Sequence, residues 1–314
     1  MAKHDVSLLV TIVVTLLVFI ITMVFTAFAS TGTYPFLQST GNVSDEYTTD
    51  ITPSGWTFAI WGIIYAFMAA VLVYVLSTLF RKNAYGYVYC SPAVLPHGFF
   101  LMLCLNLGFN VGWLFLWDRG MLIPALIFLI FIAITNYAVI AFSCIGLHAY
   151  GAWLHKYHRA DLYLIRVLVQ NGIAIYATWT TIASLVNLNI VLVTEANMSQ
   201  NDAATTTLSI LLVVIVTWFV LENWLLEKHV RYIVSIYPSV IWALVGVFTK
   251  NFDPEITSRN DIFIVSLLSV GCFLNAVRKA LVVWRHLKQP LYNRTDPDDM
   301  SPMEIAKKQK TLFK

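Results

Sequence analysis

Residues 52–65 read Thr52-Pro53-Ser54-Gly55-Trp56-Thr57-Phe58-Ala59-Ile60-Trp61-Gly62-Ile63-Ile64-Tyr65. Pro53 and Gly55 end a polar loop, and the apolar run that follows carries no charge until Arg81. A run of that length crosses a bilayer, which takes about 20 apolar residues. The stretch therefore reads as the mouth of a membrane-spanning helix whose entry is rich in aromatic side chains. Trp56 is placed to pack toward the membrane interface. Trp61 and Tyr65, one helical turn apart, share a face deeper in the span. An ordinary aromatic belt accounts for Trp56 alone; two Asn/Trp segments downstream extend the reading to a site.

Composition agrees with a membrane chain. Of 314 residues, 59% are hydrophobic and 12% charged, against about 25% charged in a typical soluble domain. The mean hydropathy is +0.73, which points to a polytopic membrane protein rather than a large soluble core. The net charge of +3 lies in loops and tail, so it reports orientation and not nucleic-acid binding. Cys90, Cys104, Cys144 and Cys272 have no metal-ligand spacing, and no external disulfide framework is expected from them. The first apolar run, Val6 to Ala29, is too long for a signal-peptide core and reads as a retained helix.

Eight spans are expected, near 7–29, 55–80, 97–117, 121–148, 163–193, 207–226, 232–249 and 261–286. Pro124 and Pro238 should kink their helices or mark first turns. With the N-terminus inside and eight alternating spans, 17 of the 20 Lys and Arg residues face inward; Arg119, Lys250 and Arg259 are the exceptions. That asymmetry is what the positive-inside rule predicts, and it places both termini in the cytoplasm. The outer loops are acidic, with Asp45, Glu46, Asp50, Glu195 and Asp202 among them. The sequons at Asn42 and Asn197 fall outside and are expected to carry glycans in a eukaryotic secretory membrane, whereas the one at Asn293 falls inside. A plasma membrane or endomembrane is expected before a mitochondrial one. The tail, 289–314, reads as flexible, and its basic end, Lys307 to Lys310, either contacts anionic lipid heads or is simply solvated.

The third span contains Asn106 and Asn110, one turn apart, continued by Trp113 and Trp117. A carboxamide in hydrocarbon must be hydrogen-bonded, so each Asn is either interhelical glue or part of a pocket. Gly108 and Gly112 form a small-xxx-small pair suited to close helix approach. On the fifth span Tyr176, Trp179, Ala183 and Asn187 fall on one stripe. Two polar-tipped aromatics, a small residue and a carboxamide either grip a flat apolar ligand or form a packing seam.

Taken together, these three segments resemble the translocator-protein / tryptophan-rich sensory protein family (TspO/MBR). The family's second helix opens Pro-x-Gly-Trp-x-Phe-x-x-Trp-x-x-x-Tyr, matched here by Pro53, Gly55, Trp56, Phe58, Trp61 and Tyr65. Its third helix carries Asn-x-x-Trp, matched by Asn110 and Trp113. Its fifth carries Pro-Tyr-x-x-Trp-x-x-x-Ala-x-x-x-Asn, matched by Tyr176, Trp179, Ala183 and Asn187, with Ile175 in place of the proline. The resemblance implies an all-α membrane protein, a longer divergent member. A TspO-like five-helix transmembrane bundle (1–193) would be followed by about three additional transmembrane helices (194–288) and the cytoplasmic tail (289–314). It also implies a pocket for a hydrophobic or aromatic small molecule such as a porphyrin, a sterol or another lipid, held by Trp56, Phe58, Trp61, Tyr65, Asn110, Trp113, Tyr176, Trp179 and Asn187. The loop from Ser30 to Ser54 would cover its mouth.

No catalytic constellation and no metal-ligand cluster stands out within the spans, so no enzyme activity is expected. His97 and His148 read as interfacial residues. Sterol-type patterns at Leu154–Arg159 and from Leu287 to Arg294 are short and carry little weight. Glu222 is the one carboxylate clearly inside a span, either a functional acid or a partner of Arg231 or Arg166. It supports the alternative reading, a secondary solute transporter; a membrane scaffold is the third. The expected partners are the bilayer, a hydrophobic small molecule and, as an open option, a second copy of the chain as a homodimer; nucleic acid is not among them.

Overall fold

Among the described residues, seven helices are long and apolar enough to cross a membrane. They belong to a computed structural model that describes residues 4–252, 255, 258–292 and 301–312. Helix α1 spans Val6–Thr31 and is followed by the short α2, Thr40–Glu46. A 3₁₀ turn, Gly55–Ala59, leads into α3, Ile60–Phe80, and a minimal hairpin (β1, Lys82–Asn83; β2, Gly86–Tyr87) precedes α4, His97–Asp118. Helix α5 is Leu122–Tyr157; α6 (Arg159–Leu164), a π-helical stretch (Ile165–Asn171) and α7 (Gly172–Thr194) form one continuous rod. Helix α8, Gln200–Val220, ends in a second π-helical stretch, Leu221–Leu225. The short α9 (Glu227–Val230), then α10 (Ile236–Asn251), α11 (Arg259–Lys288) and α12 (Pro302–Leu312) complete the order.

The local chemistry explains these boundaries. Asp5 accepts the Leu8 N–H and starts α1, and Gly32, at φ 68°, ends it in the left-handed conformation that favours glycine. Ser258 and Asp261 form a reciprocal capping box on α11. Hydroxyls that would be costly in hydrocarbon bond back to the preceding turn, as Thr22 does to Val18 O (2.9 Å) and Thr180 to Tyr176 O (2.9 Å). Pro124 and Pro238 both fall in first turns, where a missing N–H leaves no intrahelical bond unmade.

The eighth expected span differs from the other seven. Helix α10 has 16 residues, about 24 Å of rise, short of the roughly 30 Å hydrocarbon core. Its start is delayed because Asn171, in the π-helical stretch, holds the chain before it in a non-helical path. The Asn171 Oδ1 accepts from Val234 N (2.9 Å) and Ser235 N (3.2 Å), while its Nδ2 donates to Tyr232 O (2.8 Å).

The segments nevertheless alternate. At one end of the bundle Ser54 N donates to Gly246 O (2.9 Å), Asp118 accepts from Leu37 N (2.8 Å), and Arg259 pairs with Asp202 (2.9 Å). At the other, His97 meets Ser7 (3.1 Å), Arg81 pairs with Asp161 (2.5 Å), and Arg231 donates to Gln289 O (2.5 Å). Asp5 and Tyr292 therefore lie at the same end, since Tyr292 OH donates to Leu147 O and Tyr89 OH to Asp5 O. Asn42 and Asn197 lie at the opposite end.

Two further expectations change. The tail is not wholly irregular, because α12 forms and packs on α5. Ser301 and Glu304 cap it reciprocally, and those bonds hold the Glu304 carboxyl below its ordinary range. Glu222 pairs with neither Arg231 nor Arg166 but with Arg278 (3.3 Å); Arg231 instead takes Glu227 (2.5 Å). Asn293, Arg294 and the side chains of residues 308–310 lie outside the described residues, and with them the inner sequon, the end of the second sterol pattern and most of the basic tail end.

Candidate ligand-binding site

The three motif segments meet beneath the 31–54 loop. Trp61, at the start of α3, stacks on Trp113 of α4 with ring centroids 5.9 Å apart and on Tyr65 at 5.7 Å. It meets Tyr176 and Trp179 of α7 edge to face at 5.9 and 6.4 Å. Phe58, in the 3₁₀ turn, lies edge to face with Trp179 at 6.2 Å. Offset-stacked and edge-to-face pairs are the favoured aromatic geometries, so each ring fixes the next. Helices two, three and five of the spanning order meet here through their side chains; α3 and α7 also pack directly, whereas α4 packs on α1 and α5.

Asn110 is the polar centre of this cluster. Its Nδ2 donates to Tyr176 OH (2.8 Å), its Oδ1 accepts a long bond from Tyr65 OH (3.4 Å), and Tyr65 OH in turn meets Thr26 Oγ1 (3.1 Å). A fully buried carboxamide thereby ties α1, α3, α4 and α7 together. Asn106 does similar work between α4 and α5, donating to Ile132 O (2.9 Å) and Thr135 Oγ1 (3.0 Å). Gly112 lets Phe128 of α5 approach so closely that a Cβ would meet it at 2.4 Å. Gly108 faces open space and plays no such part.

Two adjacent spaces adjoin the rings. The larger, about 300 Å³, is walled by Phe58, Trp61, Tyr65 and Trp113, and on the loop side by Ser39, Thr40, Gly41 and Asp45. The smaller, about 60 Å³, shares Thr40, Phe58 and Trp113 with it and adds Trp179, Ala183 and Asn187. Three buried polar groups on the smaller space have no hydrogen-bond partner among the described residues: Trp113 Nε1, Trp179 Nε1 and both amide atoms of Asn187. The neighbouring Trp117, by contrast, donates to Thr40 O at 3.2 Å. Asn189 is also buried and unpaired, and lines neither space.

Eight of the nine expected residues come together, but Asn110 and Tyr176 lie behind the rings and line neither space. Trp56 does not join them: it is 45% exposed and turns its ring edge-to-face onto Trp242 of α10, at 5.0 Å. The reason is the 3₁₀ geometry of Gly55–Ala59, which aims Phe58 inward and leaves Trp56 on the far side. Trp242, Thr40, Asp45, Ala243 and Val247 had no motif to announce them.

The 31–54 loop is a structured cover. Asp118 accepts from Leu37 N and Gln38 N and pairs with Arg119, whose Nη2 donates to Pro35 O (3.1 Å). Helix α10 clamps the other side. Lys250 pairs with Asp45 (3.3 Å), Asn251 donates to Thr52 O (3.0 Å), and Trp242 Nε1 donates to Thr57 O (3.0 Å). Ala243 and Val247 of α10 line the smaller space, so a helix beyond residue 193 supplies part of the wall.

Glu222 lies elsewhere. Its oxygens take Trp218 Nε1 (3.1 Å) and Tyr237 OH (2.7 Å), and Arg278 also donates to Asn223 Oδ1 (3.0 Å), Val230 O (3.0 Å) and Arg231 O (3.1 Å). An acid so fully engaged, at a π-helical break, reads as a fastening between α8, α10 and α11. Among the described residues no group of three or more His, Cys, Asp or Glu side chains is arranged to hold a metal ion.

The sequence profile of the family described as TSPO-like protein matches residues 12–278. The match continues past residue 193, through the helices that the three motifs leave uncovered. No curated protein and no solved structure matches the chain.

Proposed function

Since the chain belongs to the TSPO-like protein family, we propose that it is a non-catalytic membrane receptor or carrier for a flat hydrophobic small molecule. The molecule sits in the aromatic chamber under the 31–54 loop. One observation carries this reading: six aromatic residues and three unpartnered polar groups line one pair of adjacent spaces. Stacked rings supply contact area for a planar ligand, and the two indole N–H groups with the Asn187 amide supply its orientation. Among the described residues the lining holds no Lys or Arg, and Asp45 is its only charged residue. That composition favours a neutral ligand of sterol-like character over a porphyrin, because the cation at the edge of the space, Lys250, is already paired with Asp45.

In this reading both chain ends face the cytoplasm, the cover faces the opposite side, and Asn42 and Asn197 are available for glycans. Asn42 is exposed on α2, and Asn197 occupies an exposed turn at φ 53°. The test is a titration of the purified chain with a sterol and with a porphyrin, read by tryptophan fluorescence. Saturable quenching or enhancement by the sterol supports the reading. A response to neither ligand, nor to any member of a thermal-shift panel of neutral aromatic compounds, removes it.

A further inference from the structure

On the other side of α7 lies a third cavity, of about 200 Å³, between α5, α7, α8 and the start of α10. Its lining includes Tyr137, Thr178, Thr181, Val214, Trp218 and Tyr237. Tyr137, Thr178, Thr181 and Val214 belong to the middle of long spanning helices, and Trp218 lies in the last third of its own. Tyr137 is 48% and Val214 38% exposed; at that depth, exposure is to lipid hydrocarbon. The cavity therefore opens sideways into the membrane.

Its polar atoms are all engaged. Thr178 Oγ1 donates to Ala174 O (2.8 Å), Thr181 Oγ1 to Ala177 O (2.7 Å), and Tyr137 OH meets Thr181 Oγ1 (2.5 Å). Trp218 Nε1 and Tyr237 OH are both committed to Glu222, which leaves their ring surfaces for the cavity. Among the described residues no lining residue is charged, and none appears among the buried unpartnered polar groups. A polar ligand would lose its own hydration and gain no bond in return. An uncharged hydrocarbon chain matches the wall in every respect, and the bilayer supplies one at this depth.

We propose that this cavity is a lipid site that takes one acyl chain of a bilayer phospholipid, with the headgroup left outside. The chain covers the rings that hold Glu222, so its occupancy shields the buried ion pair from the membrane side. This site is independent of the aromatic chamber: Ile182 borders both spaces, but the two open on different faces of α7.

The experiment uses the full chain in phosphatidylcholine bilayers whose acyl chains carry bromine at mid-chain, since bromine quenches indole fluorescence on contact. The contribution of Trp218 is the difference between each protein and its Trp218→Phe counterpart. Most of the Trp218 emission should be lost in the parent, and more so with mid-chain bromine than with bromine near the headgroup. Thr178 on α7 and Val240 on α10 both line the cavity, so Thr178→Leu and Val240→Phe, which fill it from different helices, should restore the emission. A second measurement needs no fluorescence: native mass spectrometry after detergent purification should find a phospholipid retained on the parent and lost from the filled variants, and its mass distinguishes phospholipid from free fatty acid. Trp218 emission indifferent to brominated chains, or lipid retention equal in parent and folded filled variants, overturns the proposal.

Discussion

The two cavity systems that flank α7 are built from much the same residues. Both have Trp and Tyr rings, small aliphatic side chains and threonines on their walls, and neither holds a basic residue. They differ in how their polar atoms are satisfied. On the membrane-facing side every hydroxyl and indole N–H of the wall has a partner, and Glu222 takes two of them. Under the 31–54 loop, Trp113, Trp179 and Asn187 hold polar atoms that nothing in the described protein satisfies. A buried unsatisfied group costs about 1–3 kcal/mol, so leaving three of them together is expensive unless something else is meant to meet them. A cavity with completed polar bonds is suited to hydrocarbon; one with open bonds is suited to a ligand that completes them.

The largest effect should come from breaking the completed side. Arg278→Met leaves Glu222 buried without its cation, and loss of one partner of a buried pair costs about 3–5 kcal/mol. Thermal unfolding in detergent should show that loss, and Glu222→Gln combined with Arg278→Met should recover much of it. Failure of the double variant to recover stability would point to a role for Glu222 beyond fastening. Next in size is Asn110→Leu, which strips partners from Tyr65 and Tyr176 and should destabilise by about 1–3 kcal/mol.

Much of this arrangement is legible in the sequence, and the misses have identifiable causes. The apolar runs place all eight segments, because hydrocarbon tolerates so few charges that each loop stands out. The motif residues of α3, α4 and α7 meet as expected, since helical spacing alone puts Trp61 with Tyr65 and Tyr176 with Trp179. The inward and outward sense of Trp56 is not legible, because it depends on a 3₁₀ turn and on Trp242, 186 positions away. The partner of Glu222 is likewise remote: Arg278 comes from a different span, whereas Arg231 was nearer in sequence and proved to be taken by Glu227. The shortening of α10 rests on Asn171, a residue whose side chain caps a segment 61 positions on. The start of helix α12 is legible in the sequence, for Ser301-Pro302-Met303-Glu304 is a capping-box pattern with proline at the first helical position.

The open-bond side makes an opposite and smaller prediction. Asn187→Leu removes an unpaired carboxamide and should raise the stability of the ligand-free protein by about 1 kcal/mol, while weakening ligand binding. Asn189→Leu should give a similar gain with binding unchanged, because Asn189 lines neither space of the chamber. If both substitutions left binding equal, Asn187 would be a packing residue and the contrast between the two cavities would lose one of its three supports. The smallest effect is expected from Lys250→Ala. The exposed Asp45–Lys250 pair that joins the cover to α10 should contribute no more than about 1 kcal/mol to stability. Its loss should instead show as faster ligand exchange in stopped-flow fluorescence.

The most direct test sets one wall against the other in a single titration. A neutral ligand that binds the parent is titrated into folded Trp179→Ala and folded Thr178→Leu, two substitutions one residue apart on α7 that face different cavities. Trp179→Ala should weaken binding by about 1–3 kcal/mol, the range for losing a large buried apolar contact, and Thr178→Leu should leave the affinity unchanged. Equal affinity of the parent and Trp179→Ala, or a loss confined to Thr178→Leu, would contradict the assignment of the ligand to the aromatic chamber.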